Sequence, residues 1–328
     1  MVQAHGGHDD EGMTQDVDLG VVAMLGGDQW AGAEPLELVR LVRTVEDLGF
    51  DSLWANDSLF GPRLEALTFL AAAASVTERI TLGTAALLPA LRRPVQTAQA
   101  LASLDLVSQG RLTIGVGAGY PGVSEREYAL SQVPWQRRFD RLDDTVALWR
   151  QMWAPEGPDE FHGATISFEG LPDCIVPTTP GGPPVWLAGD TPKARIRAGA
   201  RYDGWLPYPP TPERYQAGLD DVLAAARGTG RAKSAVTPGL FVTVLISAAP
   251  DCGREALDRF TKATYGFPLH IMEQIQTFAT GSAEQVATTL AGYVGAGARH
   301  LVCRIAALTL GDYHDQLKLL QQVREAIA

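Results

Sequence analysis

Residues 80–121 read ITLGTAALLPALRRPVQTAQALASLDLVSQGRLTIGVGAGYP, and this stretch decides the fold. Ile80, Leu82 and the Ala85–Leu88 run have the apolar continuity of a buried strand. From Pro94 to Val107 the apolar residues Val95, Ala98, Leu101 and Leu104 recur at helical spacing, and Gly110 ends the helix. Arg111–Val116 is a second strand that runs into Gly115-Val116-Gly117-Ala118-Gly119. Two strands joined through a helix form a βαβ unit, which requires the strands to be parallel. Glycines at the C-terminal end of such a strand let the backbone approach a bound molecule closely, or simply make a tight turn.

The same alternation extends outward in both directions. Val17–Met24, Asp51–Ala55, Ile80–Leu87, Leu112–Val116, Val185–Ala188, Gly204–Tyr208, Gly239–Ile246 and His300–Ile305 read as strands. Helical patterns separate them: Leu36–Leu48, Leu64–Val76, Pro94–Val107, Gln136–Trp153, Pro192–Ala200, Glu213–Arg227, Glu255–Thr264, Glu284–Gly295 and Tyr313–Ala326. Residues 154–183, rich in Pro and Gly with a hairpin-like piece at Thr165–Glu169, interrupt the pattern. The simplest architecture is an α/β protein built as a single (β/α)8 TIM barrel over residues 16–328. Residues 154–183 are then expected as an insertion over the C-terminal mouth, and residues 1–15 as a flexible N-terminal tail. A doubly wound sheet would place its glycine fingerprint after the first strand.

Composition narrows the function classes. The chain has 328 residues, 46% of them hydrophobic, against the about 250 that a TIM barrel needs. Its net charge of −11 and lack of any Lys/Arg block disfavour nucleic acid as a partner. The strongly apolar run near Ala66–Val76 is too short to span a bilayer, so no membrane segment is expected. The polar, acidic N-terminus is not expected to act as a signal peptide, and His5 and His8 are read as part of a tail rather than as a metal pair. Cys174, Cys252 and Cys303 are scattered and odd in number, which points to a reducing cytoplasm and to no zinc site.

Barrel active sites are built from C-terminal strand ends. Here those ends are poor in acid, base and nucleophile and rich in glycine and alanine. Such a pocket suits a large cofactor that carries its own chemistry. The turn Ala188-Gly189-Asp190-Thr191-Pro192-Lys193 enters a helix. Free N–H groups there, with the Thr191 hydroxyl and Lys193, would face an anion such as phosphate. Asp190 would repel that anion unless it turns back onto the helix amides. In the alternative reading, Asp190 or Thr191 is an ordinary helix cap.

Six segments carry a resemblance. They are GFDSLWANDS (49–58), TERITLGTAALLPALRRP (77–94), LASLDLVSQGRLTIGVGAGYP (101–121), RRFDRLDDTVALWRQMW (137–153), VWLAGDTPKA (185–194) and YDGWLP (202–207). In this order they resemble the bacterial luciferase-like oxidoreductases. That resemblance implies an α/β barrel that binds reduced FMN or the deazaflavin coenzyme F420 at its C-terminal face. It also implies a non-prolyl cis peptide in the third strand, matched here by Ala85–Ala86. Ala85, Ala86, Gly117, Ala118, Gly119 and Tyr120 would then shape the ring and ribityl channel. Gly189, Asp190, Thr191 and Lys193 would hold the phosphate end. Asn56 and Asp57 are the candidate catalytic groups. Two departures matter: Ser58 stands where many relatives have a His after Asp, and Ala118 stands where luciferase has a phosphate-binding Arg.

The leading expectation is an FMNH2-dependent monooxygenase supplied by a partner flavin reductase and acting with O2 on an apolar or aromatic small molecule. The alternatives are a coenzyme F420-dependent dehydrogenase or reductase working by hydride transfer, and a non-catalytic flavin-binding barrel. Residues 154–183 and 264–281 are expected to shape the substrate pocket. The alanine-rich Leu64–Val76 helix suits close packing in a homodimer.

Overall fold

A computed structural model describes residues 17–26 and 34–327. The expected tail at 1–15 lies outside the described residues. In chain order the first half comprises β1 (Asp18–Val22), α1 (Pro35–Asp47), β2 (Ser52–Ala55), α2 (Ala66–Val76), β3 (Thr81–Leu87), α3 (Pro94–Val107), β4 (Leu112–Val116), α4 (Glu125–Leu130) and α5 (Arg138–Met152). Then follow β5 (Glu160–His162), β6 (Ser167–Glu169), β7 (Val185–Ala188), α6 (Pro192–Arg201), β8 (Gly204–Leu206), α7 (Pro212–Gly228) and β9 (Thr237–Ile246). The chain finishes with α8 (Pro250–Tyr265), α9 (Leu269–Met272), β10 (Phe278–Gly281), α10 (Ala283–Gly295), β11 (His300–Ile305) and α11 (Leu310–Val323).

Eight parallel strands close on themselves in the order β1, β2, β3, β4, β7, β8, β9, β11. This is the TIM barrel expected from the alternation, with the same eight strands. Both faces of such strands are covered, so they read as continuous apolar runs; Leu112–Val116 is buried throughout. Helices begin where the sequence provides caps. Thr191, Thr211, Ser282 and Thr309 each accept a backbone N–H from the first turn of the helix that follows.

The barrel interior is plugged beneath its mouth by Trp54 and Trp186, whose rings lie 5.2 Å apart. Val22, Ala85, Leu206 and Val302 pack around them. At the opposite end His300 contacts the Ser52 hydroxyl at 2.7 Å and Asp18 at 3.1 Å, an anchor for β1, β2 and β11.

Three features differ from the sequence reading. A ninth strand, β10, pairs with Thr243–Ile246 of β9, on the flank that β8 leaves open beyond Pro238. Four residues ending in glycine are too short a run to show a period. Residues 154–183 connect the C-terminal end of α5 to the N-terminal end of β7, the end of the barrel away from the mouth. Thr179 is bonded to Asp105 near the end of α3, and the β5–β6 hairpin lies along α5, where Thr165 donates to Asp144. The cover over the mouth comes instead from the segment between β9 and β10. Among the described residues, no helix is long and apolar enough to cross a membrane.

Candidate active site

The C-terminal strand ends surround a cavity of about 320 Å³. Ala85 and Ala86 of β3, Ala188 at the end of β7 and Leu206 at the end of β8 form one part of its wall. Phe241 of β9 and Arg304 of β11 form another. The cover contributes Thr264, Tyr265, Phe267, Met272, Ile275 and Gln276, within the 264–281 segment expected to reach the pocket. Residues 154–183 contribute none of the lining. Tyr120, Val123 and Phe267 are exposed apolar residues at the rim, where single apolar groups gather around an opening.

The Ala85–Ala86 peptide is cis. The β3–β4 register shifts between Thr84 and Leu87, and pairing resumes with the Gly117 N–H donating to the Leu87 carbonyl. A Cβ at Gly117 would come within 3.5 Å of the Ala86 methyl and 4.0 Å of that of Ala188. Ala85, Ala86 and Ala188 therefore present a recessed part of the cavity wall with nothing beyond a methyl group, while Gly117, Ala118 and Gly119 are not among the lining residues. Ala118 is buried and its carbonyl accepts from the Tyr128 hydroxyl. Gly119 has φ +82, and a Cβ there would stand 2.7 Å from that of Ser124. The turn is tied down by Ser124, whose hydroxyl oxygen accepts the Tyr120 N–H. Tyr120 lines the cavity and is 45% exposed.

Asn56 and Asp57 follow β2, but neither lines the cavity. Asp57 accepts the Leu88 N–H at 3.1 Å through one oxygen and pairs with Arg92 at 2.9 Å through the other. Arg92 reaches on to Glu65, which caps α2. Asp57 thus joins the end of β2 to the chain leaving β3. Ser58, in the position of the missing His, donates to Glu127 at 2.6 Å.

At the β7–α6 turn, Thr191 caps α6 through the Ala194 N–H. Asp190 pairs with Arg195 at 2.7 Å and with Arg214 at 3.5 Å. Its charge is therefore met by guanidinium groups rather than by the helix amides considered from the sequence. Gly189 has φ +120, and its carbonyl accepts the Trp205 indole N–H. Lys193 is exposed in the first turn of α6.

The sequence reading did not single out Tyr208, Tyr265, Gln276 or Arg304, all of which line the cavity. Burial, and then the neighbouring Tyr120, Asp190 and Tyr265, hold the Tyr208 hydroxyl above its ordinary value. Tyr208 was visible as the last residue of a predicted strand, Gly204–Tyr208. Tyr265 and Gln276 belong to a cover whose approach to the barrel no local pattern reveals. His270 lies in α9 with an exposed side chain, away from the cavity lining.

The luciferase-like monooxygenase family model matches residues 17–300. An F420-dependent glucose-6-phosphate dehydrogenase of Intrasporangium calvum is 33% identical over 187 residues, covering 52% of this chain and 53% of that protein. The chain spans about half the length of curated relatives it matches. An F420-dependent secondary alcohol dehydrogenase, solved with an F420–acetone adduct, superposes with a TM-score of 0.77 at 20% identity, covering 95% of this chain and 99% of that one. The monooxygenase RslO1 of Streptomyces bottropensis superposes with a TM-score of 0.76 at 21% identity, covering 93% and 98%. These two likenesses concern the fold.

Proposed function

Because this chain belongs to the luciferase-like monooxygenase family, we propose that it is an oxidoreductase that uses coenzyme F420 to transfer hydride to or from an apolar small molecule. The observation that carries this reading is the recessed face of Ala85, Ala86 and Ala188 on one apolar cavity. The named curated relative, an F420-dependent dehydrogenase, supports the choice of cofactor. A planar ring fits that face because no side chain beyond a methyl group stands out from it. When bound, the deazaflavin supplies or accepts the hydride.

The protein's own residues position the reactants and exclude water. Gly189, Thr191 and Lys193 offer the anion-facing end of a helix to the cofactor's phosphate. Asp190, neutralised by Arg195 and Arg214, does not oppose it. The apolar wall and the 264–276 cover keep water from the reacting atoms. With no His after Asp57, the Tyr208 hydroxyl is the group we assign to hold and deliver the substrate's proton. It lines the cavity and makes no hydrogen bond among the described residues.

FMNH2-dependent monooxygenation with a partner reductase is the second reading. The same apolar enclosure favours it, because oxygen chemistry on a reduced flavin needs protection from water. A homodimer packed through α2, which exposes Thr68, Ala71 and Ser75, belongs to the proposal under either reading.

The deciding experiment is an equilibrium titration of the protein with coenzyme F420, FMN and, anaerobically, FMNH2. Preferential F420 binding, weakened roughly fivefold in Lys193→Ala by loss of one exposed charge-assisted contact, supports hydride transfer. Preferential FMNH2 binding overturns it in favour of the monooxygenase. Binding of a cofactor without turnover of any substrate points to a non-catalytic barrel.

A further inference from the structure

We propose that Arg304 and Gln276 form a receptor for a carboxylate, so that the substrate is a small monocarboxylate with an apolar body. The inference rests on the reading of the cavity as the substrate site.

Arg304 projects into the cavity wall from the C-terminal part of β11. Its guanidinium lies 5.5 Å from the Phe260 ring centre and 5.3 Å from that of Tyr265. One of its N–H groups donates to the Tyr265 hydroxyl at 3.1 Å. These contacts orient the group but leave its charge uncompensated, and among the described residues no carboxylate lies within ion-pair distance of it. Arg92, Arg195, Arg197, Arg254 and Arg324 each have one. The neighbourhood does not relieve the charge. Burial, and then Arg304, push the Arg63 guanidinium below its ordinary value, against the pull of Asp57 and Glu127. A positive charge in an apolar wall calls for an anion.

Gln276 supplies the second, independent observation. It is 6% exposed, lines the same cavity, and its amide nitrogen has no hydrogen-bond partner. Thr243 is the ladder partner of Arg304; its hydroxyl is likewise buried without a partner. Buried polar groups are rarely left so, and a ligand in the cavity that accepts hydrogen bonds would complete Gln276. Of the five guanidinium N–H groups, one is engaged with Tyr265, and the planar fork matches a carboxylate. Among the lining residues Arg304 alone carries a charge, which matches a single negative charge. The remaining lining, including Leu206, Phe241, Met272 and Ile275, suits a hydrocarbon or aromatic body.

The test is calorimetric titration of the full chain at neutral pH with 3-phenylpropanoate and its neutral isostere 3-phenylpropanamide. The acid is expected to bind about tenfold more tightly than the amide, the scale of one charge-assisted pair. Arg304→Met should erase that preference while keeping the affinity for the amide and the melting temperature. Gln276→Leu should weaken the acid alone. If Arg304→Met does not fold, Arg304→Gln serves the same comparison. Equal affinity for acid and amide, no binding of the acid, or a preference that survives loss of the guanidinium overturns the proposal. Displacement of the acid by saturating coenzyme F420 or FMN also overturns it, because the anion would then belong to the cofactor. If F420 does not bind while the acid preference holds, only the deazaflavin reading falls.

Discussion

Gly204 is the ladder partner of Trp186, and a Cβ at Gly204 would stand 2.4 Å from the indole Cγ. The same relation holds on the β2–β3 pair, where a Cβ at Gly83 would stand 2.3 Å from the Trp54 ring. The two indoles fill the barrel beneath the cavity only because glycine faces each of them. Gly204→Ala is expected to destabilise the protein by about 2 kcal/mol through overpacking, read as a lower urea midpoint at unchanged m-value. An unchanged midpoint would show that the indole repacks freely.

Asp57 and Arg92 are tied as a pair with 8% and 23% side-chain exposure. Removing Arg92 leaves the 8%-exposed Asp57 carboxylate without its ion-pair partner, at a cost of about 3 kcal/mol, whereas removing the Asp57 charge leaves Arg92 still paired with Glu65 at 2.7 Å. Arg92→Met is therefore expected to lower stability more than Asp57→Asn, and both are expected to loosen the Leu88 turn beside the cis pair. Should Asp57→Asn abolish turnover at full stability while Arg92→Met is harmless, Asp57 acts chemically instead.

Glu46 accepts backbone N–H groups from Glu78, Arg79 and Ile80 at 2.7–3.2 Å, which fixes the chain entering β3. Burial works to raise its pKa, but the three backbone donors together hold it below the ordinary 4.5. A depressed carboxylate contributes stability that is complete above its unfolded pKa and is lost as pH falls through the folded one. The wild type should therefore lose stability relative to Glu46→Gln as pH drops below about 4.5. Parallel denaturation curves at neutral and acidic pH check this, and equal losses in the two proteins would refute it.

Tyr208, held above its ordinary value of 10.0, remains a neutral donor through mildly alkaline pH. Turnover should accordingly stay flat as pH approaches that value, and Tyr208→Phe should lower kcat about a hundredfold with little change in stability. A Phe variant as fast as wild type would remove the hydroxyl from the reaction.

Much of the site's backbone was legible in the sequence. The Gly115–Gly119 turn, the Ala85–Ala86 position and the Gly189–Lys193 helix entry each carry a local signature in residue type and spacing, and the structure places Ala85, Ala86 and Tyr120 in the cavity wall. The side chains that give the cavity polarity were not legible. Arg304 is the penultimate residue of an apolar strand and reads as an ordinary charge near its end. Gln276 sits in a segment with no period. Asp190 looked like a repulsive charge until Arg214, from a different helix, was found beside it.

The sequence by itself determined the barrel, because period and turn chemistry act over a few residues and repeat along the chain. It also determined which strand ends carry glycine and alanine, since those are properties of single positions. Only the tertiary structure decided that 264–276, and not 154–183, lies at the mouth. Only there do Arg304, Gln276 and Tyr208 meet in one cavity although they are far apart in the chain. The charge balance of a site depends on which ionic groups come within a few ångströms of one another, and the order of residues does not record that distance.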